Sequence, residues 1–225
     1  MKAKPRKIRF YQVKDINSLP QLAKISPKDR LAMQAVATVL PFRTNNYVVE
    51  ELIDWDDIPN DPIFRLTFPH PEMLSPPDLR QMVRLLEENA SKEVLREAAN
   101  EIRWRLNPHP AGQKQYNVPT LNGEPVPGIQ HKYQKTVLIF PTAGQTCHAY
   151  CTFCFRWPQF VGLDDLKFAT RESGIFQKYL QEHREVSDVL LTGGDPMTMK
   201  TWQLGLYMEP LLEPEFDHIQ TIRIG

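Results

Sequence analysis

Over its first 130 residues the chain places apolar side chains at helical spacing in three stretches, separated by proline-rich connections. Ser26-Pro27 with Asp29 behind it has the form of an N-cap, a proline at the first helical position and a first-turn acid. Leu31, Ala35, Val36 and Val39 give the helix predicted over 27–40 an apolar face. Ser75-Pro76-Pro77 opens a second helix, with Leu79, Met82, Val83 and Leu86 at the same spacing, and a third runs over 91–106 with Val94, Leu95, Ala98, Ile102 and Leu106 as a stripe among charges. Helix packing accounts for these stripes without a ligand. Asp54 to Pro62 is turn chemistry, because Asn and Asp bond their own backbone and each proline disfavours helix in the residue before it. The polar, Pro- and Gly-punctuated stretch from Asn107 to Pro127 separates a helical region, 1–130, from a second region, 131–225.

After His131 the period changes to short apolar runs alternating with amphipathic stretches. Val137 to Phe140, Val189 to Thr192 and Ile219 to Ile224 read as strands, with a helix over 166–184 turning Phe168, Ile175, Phe176, Tyr179 and Leu180 inward and another over 202–212. Alternation of this kind predicts an α/β fold with parallel strands joined by right-handed crossovers. Gly225 directly follows the third strand, so the expectation is a partial (β/α) barrel of about three parallel strands, truncated after the third, and hence a fragment.

Composition narrows the partners. The 27 basic and 27 acidic side chains cancel, which gives no electrostatic footprint for nucleic acid or a membrane surface and leaves a small-molecule or protein substrate. No run approaches the roughly 18 apolar residues of a membrane span, and the basic start, Met1 to Lys7, has no apolar segment behind it, so a cytoplasmic location is expected. The 20 prolines fit a loop-rich chain.

All 3 cysteines, Cys147, Cys151 and Cys154, fall within eight residues as C-x3-C-x2-C immediately after the first strand. An odd, clustered set is a poor disulfide framework and a good metal-ligand spacing. Three thiolates on one loop suit three irons of a 4Fe-4S cluster and leave the fourth iron open. A zinc site with His148 or a distant residue as fourth ligand is the rival reading, although zinc loops more often pair two C-x2-C units or Cys with His. Leu190 to Pro196 closes the second strand with Gly193, Gly194 and Asp195. Glycines there let a ligand approach the backbone at the end where parallel α/β folds bind ligands. Taken alone, the same residues could be an ordinary turn with Asp195 as a helix cap.

Together the two motifs resemble the cluster- and cofactor-binding core of radical S-adenosylmethionine (SAM) enzymes. Further segments resemble the lysine 2,3-aminomutase family: His131-Lys132-Tyr133 before the first strand, Cys154-Phe155-Arg156, Leu190 to Asp195, Ile222 to Gly225, Pro41-Phe42-Arg43 to Pro62, and Val126-Pro127-Gly128. The likeness covers residues 26–72 and 119–225 and departs from the family at Thr136, at Trp157-Pro158 and in a longer loop over Pro141 to Thr146.

The resemblance implies a radical SAM (β/α) barrel preceded by a helical N-terminal region. It also implies an isomerase that uses a 4Fe-4S cluster on Cys147, Cys151 and Cys154, SAM, and pyridoxal 5′-phosphate (PLP) as amino-group carrier. Phe153, Gly193, Gly194 and Asp195 would serve SAM, Lys132 and Tyr133 the PLP phosphate, and Arg156 the substrate carboxylate, with Trp157 and Phe160 shielding the cluster. No catalytic residue is assigned within the chain. Implied partners are a small amino-acid substrate and a reductant such as flavodoxin or ferredoxin, with a homo-oligomer left open. A radical SAM enzyme that modifies a peptide or protein-bound lysine, and a non-catalytic iron-sulfur or zinc-binding module, are the alternatives.

Overall fold

The computed structural model describes residues 7–107, 116–162 and 168–225. The basic start over 1–6, the 108–115 part of the linker and residues 163–167, where the helix expected over 166–184 would begin, lie outside the described residues. The chain divides into two compact units: Met1–Pro108 with His148–Trp157, and His109–Cys147 with Pro158–Gly225. The boundary read from the sequence lies some twenty residues further along, because Thr120 to Tyr133 pairs into strands. The cysteine loop is shared between the two.

In the first unit, strand β1 (Phe10–Tyr11) pairs antiparallel with β2 (Thr44–Asn45), and helix α1 (Pro27–Val39) lies between them in sequence. Ser26 accepts from the N–H of Asp29 at 3.1 Å, the cap expected from its sequence. Helix α2 (Pro62–Thr67) follows the Asp54 to Asp61 turn. The buried Asp61 side chain closes that turn, accepting from Asp54 N–H at 3.1 Å and from Phe64 N–H at 2.7 Å as the cap of α2. Helices α3 (Pro76–Glu87) and α4 (Lys92–Leu106) are capped by Ser75 and Ser91. Met82, Ala98, Ala99 and Ile102 from these helices pack with Ala35, Val36 and Val39 of α1. Arg103 donates to Val39 O at 2.7 Å and Thr38 O at 3.0 Å, satisfying carbonyls that the end of α1 leaves without intrahelical partners. A second cluster sets Phe42, Phe64 and Phe68 against Leu22, Met33 and Val49, with Trp55 edge-on to both Phe64 and Phe68.

In the second unit, β3 (Thr120–Leu121) and β4 (Glu124–Pro125) form a small hairpin. The main sheet has the order β5 (Ile129–Tyr133), β6 (Thr136–Ile139), β7 (Asp188–Leu191), β8 (Thr221–Ile224). Three of these strands, β6 to β8, are parallel as expected, while β5 is antiparallel to β6 and makes the sheet mixed. Its polar sequence, Gln130-His131-Lys132, hides it from a search for apolar runs. Helix α5 (Ser173–Glu182) starts later than the helix expected from 166, because Thr170 bonds Phe140 and Thr142 beside the end of β6 and Phe168 lies outside the helix, and α6 (Thr201–Met208) completes the unit. Val137, Ile139, Val189 and Leu191 alternate toward a core shared with Phe176, Tyr179, Leu180 and Tyr207. Leu138 and Leu190 point the other way and are half-buried, so these runs are covered fully on one face only.

Candidate functional site

The second unit carries the glycine motif at the C-terminal end of β7, and the segment leading to Cys147 lies directly against it. Gly194 N–H donates to Gly144 O at 3.1 Å, while Asp195 N–H reaches Gly144 O at 3.1 Å and Thr146 O at 2.6 Å. A Cβ placed on Gly194 would collide with the carbonyl oxygen of Thr146 and stand 2.6 Å from that residue's backbone N and C. Gly193 has φ +145° and the side chain of Gln145 occupies the position its Cβ would take. The backbone approach that the two glycines permit is therefore made by the chain's own loop, one residue before Cys147. Asp195 caps the turn Pro196–Thr198, its Oδ1 accepting from Met197 N–H at 2.8 Å, which is the ordinary capping role weighed from the sequence.

In the first unit, the loop His148–Trp157 lies along the strand and helix ends. Asn45 Nδ2 donates to His148 O at 3.1 Å, Tyr150 N–H to Arg43 O at 2.8 Å, Thr152 N–H to Leu66 O at 2.8 Å, and Thr152 Oγ1 to Arg65 O at 2.8 Å. Two successive turns, Cys154 N–H to Cys151 O and Trp157 N–H to Cys154 O, both 3.1 Å, then carry the cysteines and Arg156. Cys151 and Cys154 line a cavity of about 320 Å³ whose apolar wall includes Leu40, Met73, Leu106 and Trp157. Partial desolvation and the neighbouring Cys154 push the thiol of the exposed Cys151 up from its ordinary value. Phe153 and Phe155 are 79% and 78% exposed. Trp157 packs on the helical core of α1, α3 and α4, while Phe160 belongs to the other unit.

The three thiols are free of disulfides. Among the described residues no group of three or more His, Cys, Asp or Glu is gathered closely enough to hold a metal ion. Three thiolates within eight residues have the donor chemistry of an iron-sulfur cluster. Lys132 and Tyr133 are exposed, the lysine Nζ 5.4 Å from the tyrosine ring. Tyr133 pairs with Thr136 at the start of β6, whereas the glycine motif follows Leu191, which pairs with Ile139 at its end. The two groups are thus at opposite ends of the sheet, roughly 10 Å of strand apart.

Two polar arrangements in this unit escape a motif search. His131 Nδ1 lies 2.5 Å from the Tyr179 hydroxyl and its Nε2 3.2 Å from Gln134 O, so the tautomer with its proton on Nε2 donates to the hairpin turn and accepts from the tyrosine. The Tyr179 ring stacks on His183 with centroids 4.1 Å apart, and His183 in turn meets Glu185 at 2.8 Å. The spacing Tyr179, His183 is one helical turn, the signal that could have revealed it. Across the start of the sheet, Arg223 grips Asp188 at 2.8 and 2.5 Å and Thr136 donates to the same carboxylate at 2.9 Å.

No family model matches the chain. It is 30% identical over 214 residues to a putative L-lysine 2,3-aminomutase of Aquifex aeolicus, an alignment covering 95% of this chain and 46% of that protein. It is 32% identical over 139 residues, 61% of this chain and 32% of the relative, to an L-lysine 2,3-aminomutase of Acetoanaerobium sticklandii. With a glutamate 2,3-aminomutase of Clostridioides difficile the identity is 25% over 218 residues, 95% of this chain and 41% of the relative. The chain therefore spans less than half the length of these curated relatives. It belongs to the lysine 2,3-aminomutase-like family of radical SAM proteins. Among the described residues no helix is long and apolar enough to cross a membrane.

Proposed function

We propose that this chain supplies the cluster- and SAM-binding part of an amino-acid 2,3-aminomutase, an isomerase that moves an amino group between adjacent carbons. The observation that carries the reading is the juxtaposition, within the second unit, of the glycine turn Gly193–Asp195 with the backbone of Thr146, the residue that precedes the first cysteine of C-x3-C-x2-C. Relatives named for lysine and for glutamate support an amino acid as substrate class and leave its side chain open.

When bound, a 4Fe-4S cluster with SAM would supply a carbon radical and PLP would carry the migrating amino group. Cys147, Cys151 and Cys154 would hold the cluster through their thiolates, leaving one iron without a protein ligand. Gly193, Gly194 and Asp195 would serve SAM from the strand end through groups other than the N–H groups of Gly194 and Asp195, which already bond the loop before Cys147, and Phe153, exposed beside the third cysteine, would offer a ring to it. Arg156, in the turn after Cys154, would orient the substrate carboxylate, because a guanidinium presents a fixed bidentate fork. Lys132 and Tyr133 stand at the far end of the sheet, so PLP contacts are not drawn to them.

Anaerobic reconstitution with iron and sulfide tests the reading. The expected result is about four irons per chain, an electron paramagnetic resonance signal after reduction with dithionite that changes on addition of SAM, and its loss with alanine at any one of the three cysteines. Protein that takes up a single zinc and no iron under these conditions would overturn it.

A further inference from the structure

No residue of the loop from His148 to Trp157 is fully buried. Ala149 at its start and Trp157 at its end pack on apolar clusters, yet Phe153 and Phe155 between them stand in solvent. What fixes the intervening course is polar. The last carbonyls of helix α2 have no intrahelical donors; Arg65 O accepts from the Thr152 hydroxyl at 2.8 Å and from His70 Nε2 at 2.6 Å, and Leu66 O accepts from the Thr152 N–H at 2.8 Å.

Asn45 provides the second anchor. It is 4% exposed, and its Oδ1 accepts from Tyr47 N–H at 2.9 Å and Val48 N–H at 3.2 Å. Those two donors settle which end of the amide is oxygen, so Nδ2 faces the loop and donates to His148 O.

We propose that Asn45 and Thr152 are positioning residues for the cysteine loop, holding residues 148–152 on the N-terminal unit so that Cys151 and Cys154 project from a backbone already ordered. Ordering a free loop during ligation would cost conformational entropy at each residue, and these anchors set the course beforehand. That the order serves a cluster rests on the function proposed above; the anchoring itself does not.

The test uses reduced, metal-free protein, a pulse of iodoacetamide, and peptide mass spectrometry to follow each cysteine, with Cys147 as internal reference. Thr152→Val keeps the β-branch and the N–H but removes the hydroxyl donor, and Asn45→Asp keeps both accepted bonds while replacing the donor to His148 O. Each should raise alkylation of Cys154 relative to Cys147 by roughly two- to tenfold, the factor that about one hydrogen bond contributes. Thr152→Ser should restore the wild-type ratio. An unchanged ratio in Thr152→Val, or an increase that Thr152→Ser does not reverse, would overturn the proposal, and this pair decides even where Asn45→Asp unfolds. Failure of the wild-type protein to take up iron would remove the cluster reading alone and leave the alkylation result standing.

Discussion

Replacing Gly194 with alanine adds one methyl group at a point where the chain has no room for it. The new Cβ would meet the backbone N, C and O of Thr146, two of them at 2.6 Å, and backbone cannot swing aside as the tip of a flexible side chain can. Overpacking of this kind costs about 1–3 kcal/mol. Moving Thr146 also stretches the bond from Asp195 N–H, and the paired bonds to Gly144 O share the strain; losing one such bond adds about 1 kcal/mol. The sum is about 2–4 kcal/mol, which at roughly 2–4 °C per kcal/mol for a chain of this size lowers the melting temperature by roughly 4–16 °C. Gly174→Ala is the control, since nothing lies within 4 Å of its Cβ and the site is in α5; it should be stabilising by up to about 1 kcal/mol. Thermal melts by circular dichroism, with hydrogen exchange at the Gly194 and Asp195 amides, measure both. A Gly194→Ala protein that melts with the wild type and keeps both amides protected would refute the argument.

Two pH-dependent predictions follow from the polar arrangements of the second unit. Burial, reinforced by the Glu185 charge, pushes the Tyr179 phenol up to about 12, so the folded state keeps a proton that the unfolded chain sheds near 10; that stabilisation is whole below about pH 10 and is lost as pH rises toward 12. Tyr179→Phe, less stable than wild type at pH 8 for want of the His131 bond, should lose less stability between pH 9 and about 11.5 in urea titrations, and parallel losses would discount the group. The hydrogen bond from Arg223, then that from Thr136, holds the Asp188 carboxyl below its ordinary value; this stabilisation is present above about pH 3.9 and disappears as pH falls through the folded value. The urea midpoints of wild type and Asp188→Asn should therefore differ at pH 7 and converge as the pH falls through the lowered folded value; a constant difference would show that the charge on Asp188 contributes nothing.

Local chemistry was legible without a fold. Ser26, Ser75 and Ser91 announce helix starts because a cap and its recipient N–H are three residues apart, and the apolar runs at Val137 and Val189 announce parallel strands because burial of a strand demands them. The spacing of Cys147, Cys151 and Cys154 likewise carries its donor chemistry within eight residues. What the sequence could not decide is which distant backbone these elements meet. The glycines of Gly193-Gly194 read as space for a ligand, but their Cβ positions are filled by Gln145 and Thr146, so a side chain at Gly194 disturbs the segment leading into Cys147. Lys132 and Tyr133 lie fifteen residues or fewer before Cys147, the first of the cysteines, and only the antiparallel turn of β5 carries them to the opposite end of the sheet. Asn45 and Thr152 are 107 positions apart and bear no motif; their roles exist because the last carbonyls of α2 and the strand β2 lie beside the loop from His148 to Thr152. Periodicity and spacing determine what is settled within a turn or a strand, whereas hydrogen bonds between segments far apart in sequence depend on chain packing and are written only in the tertiary structure.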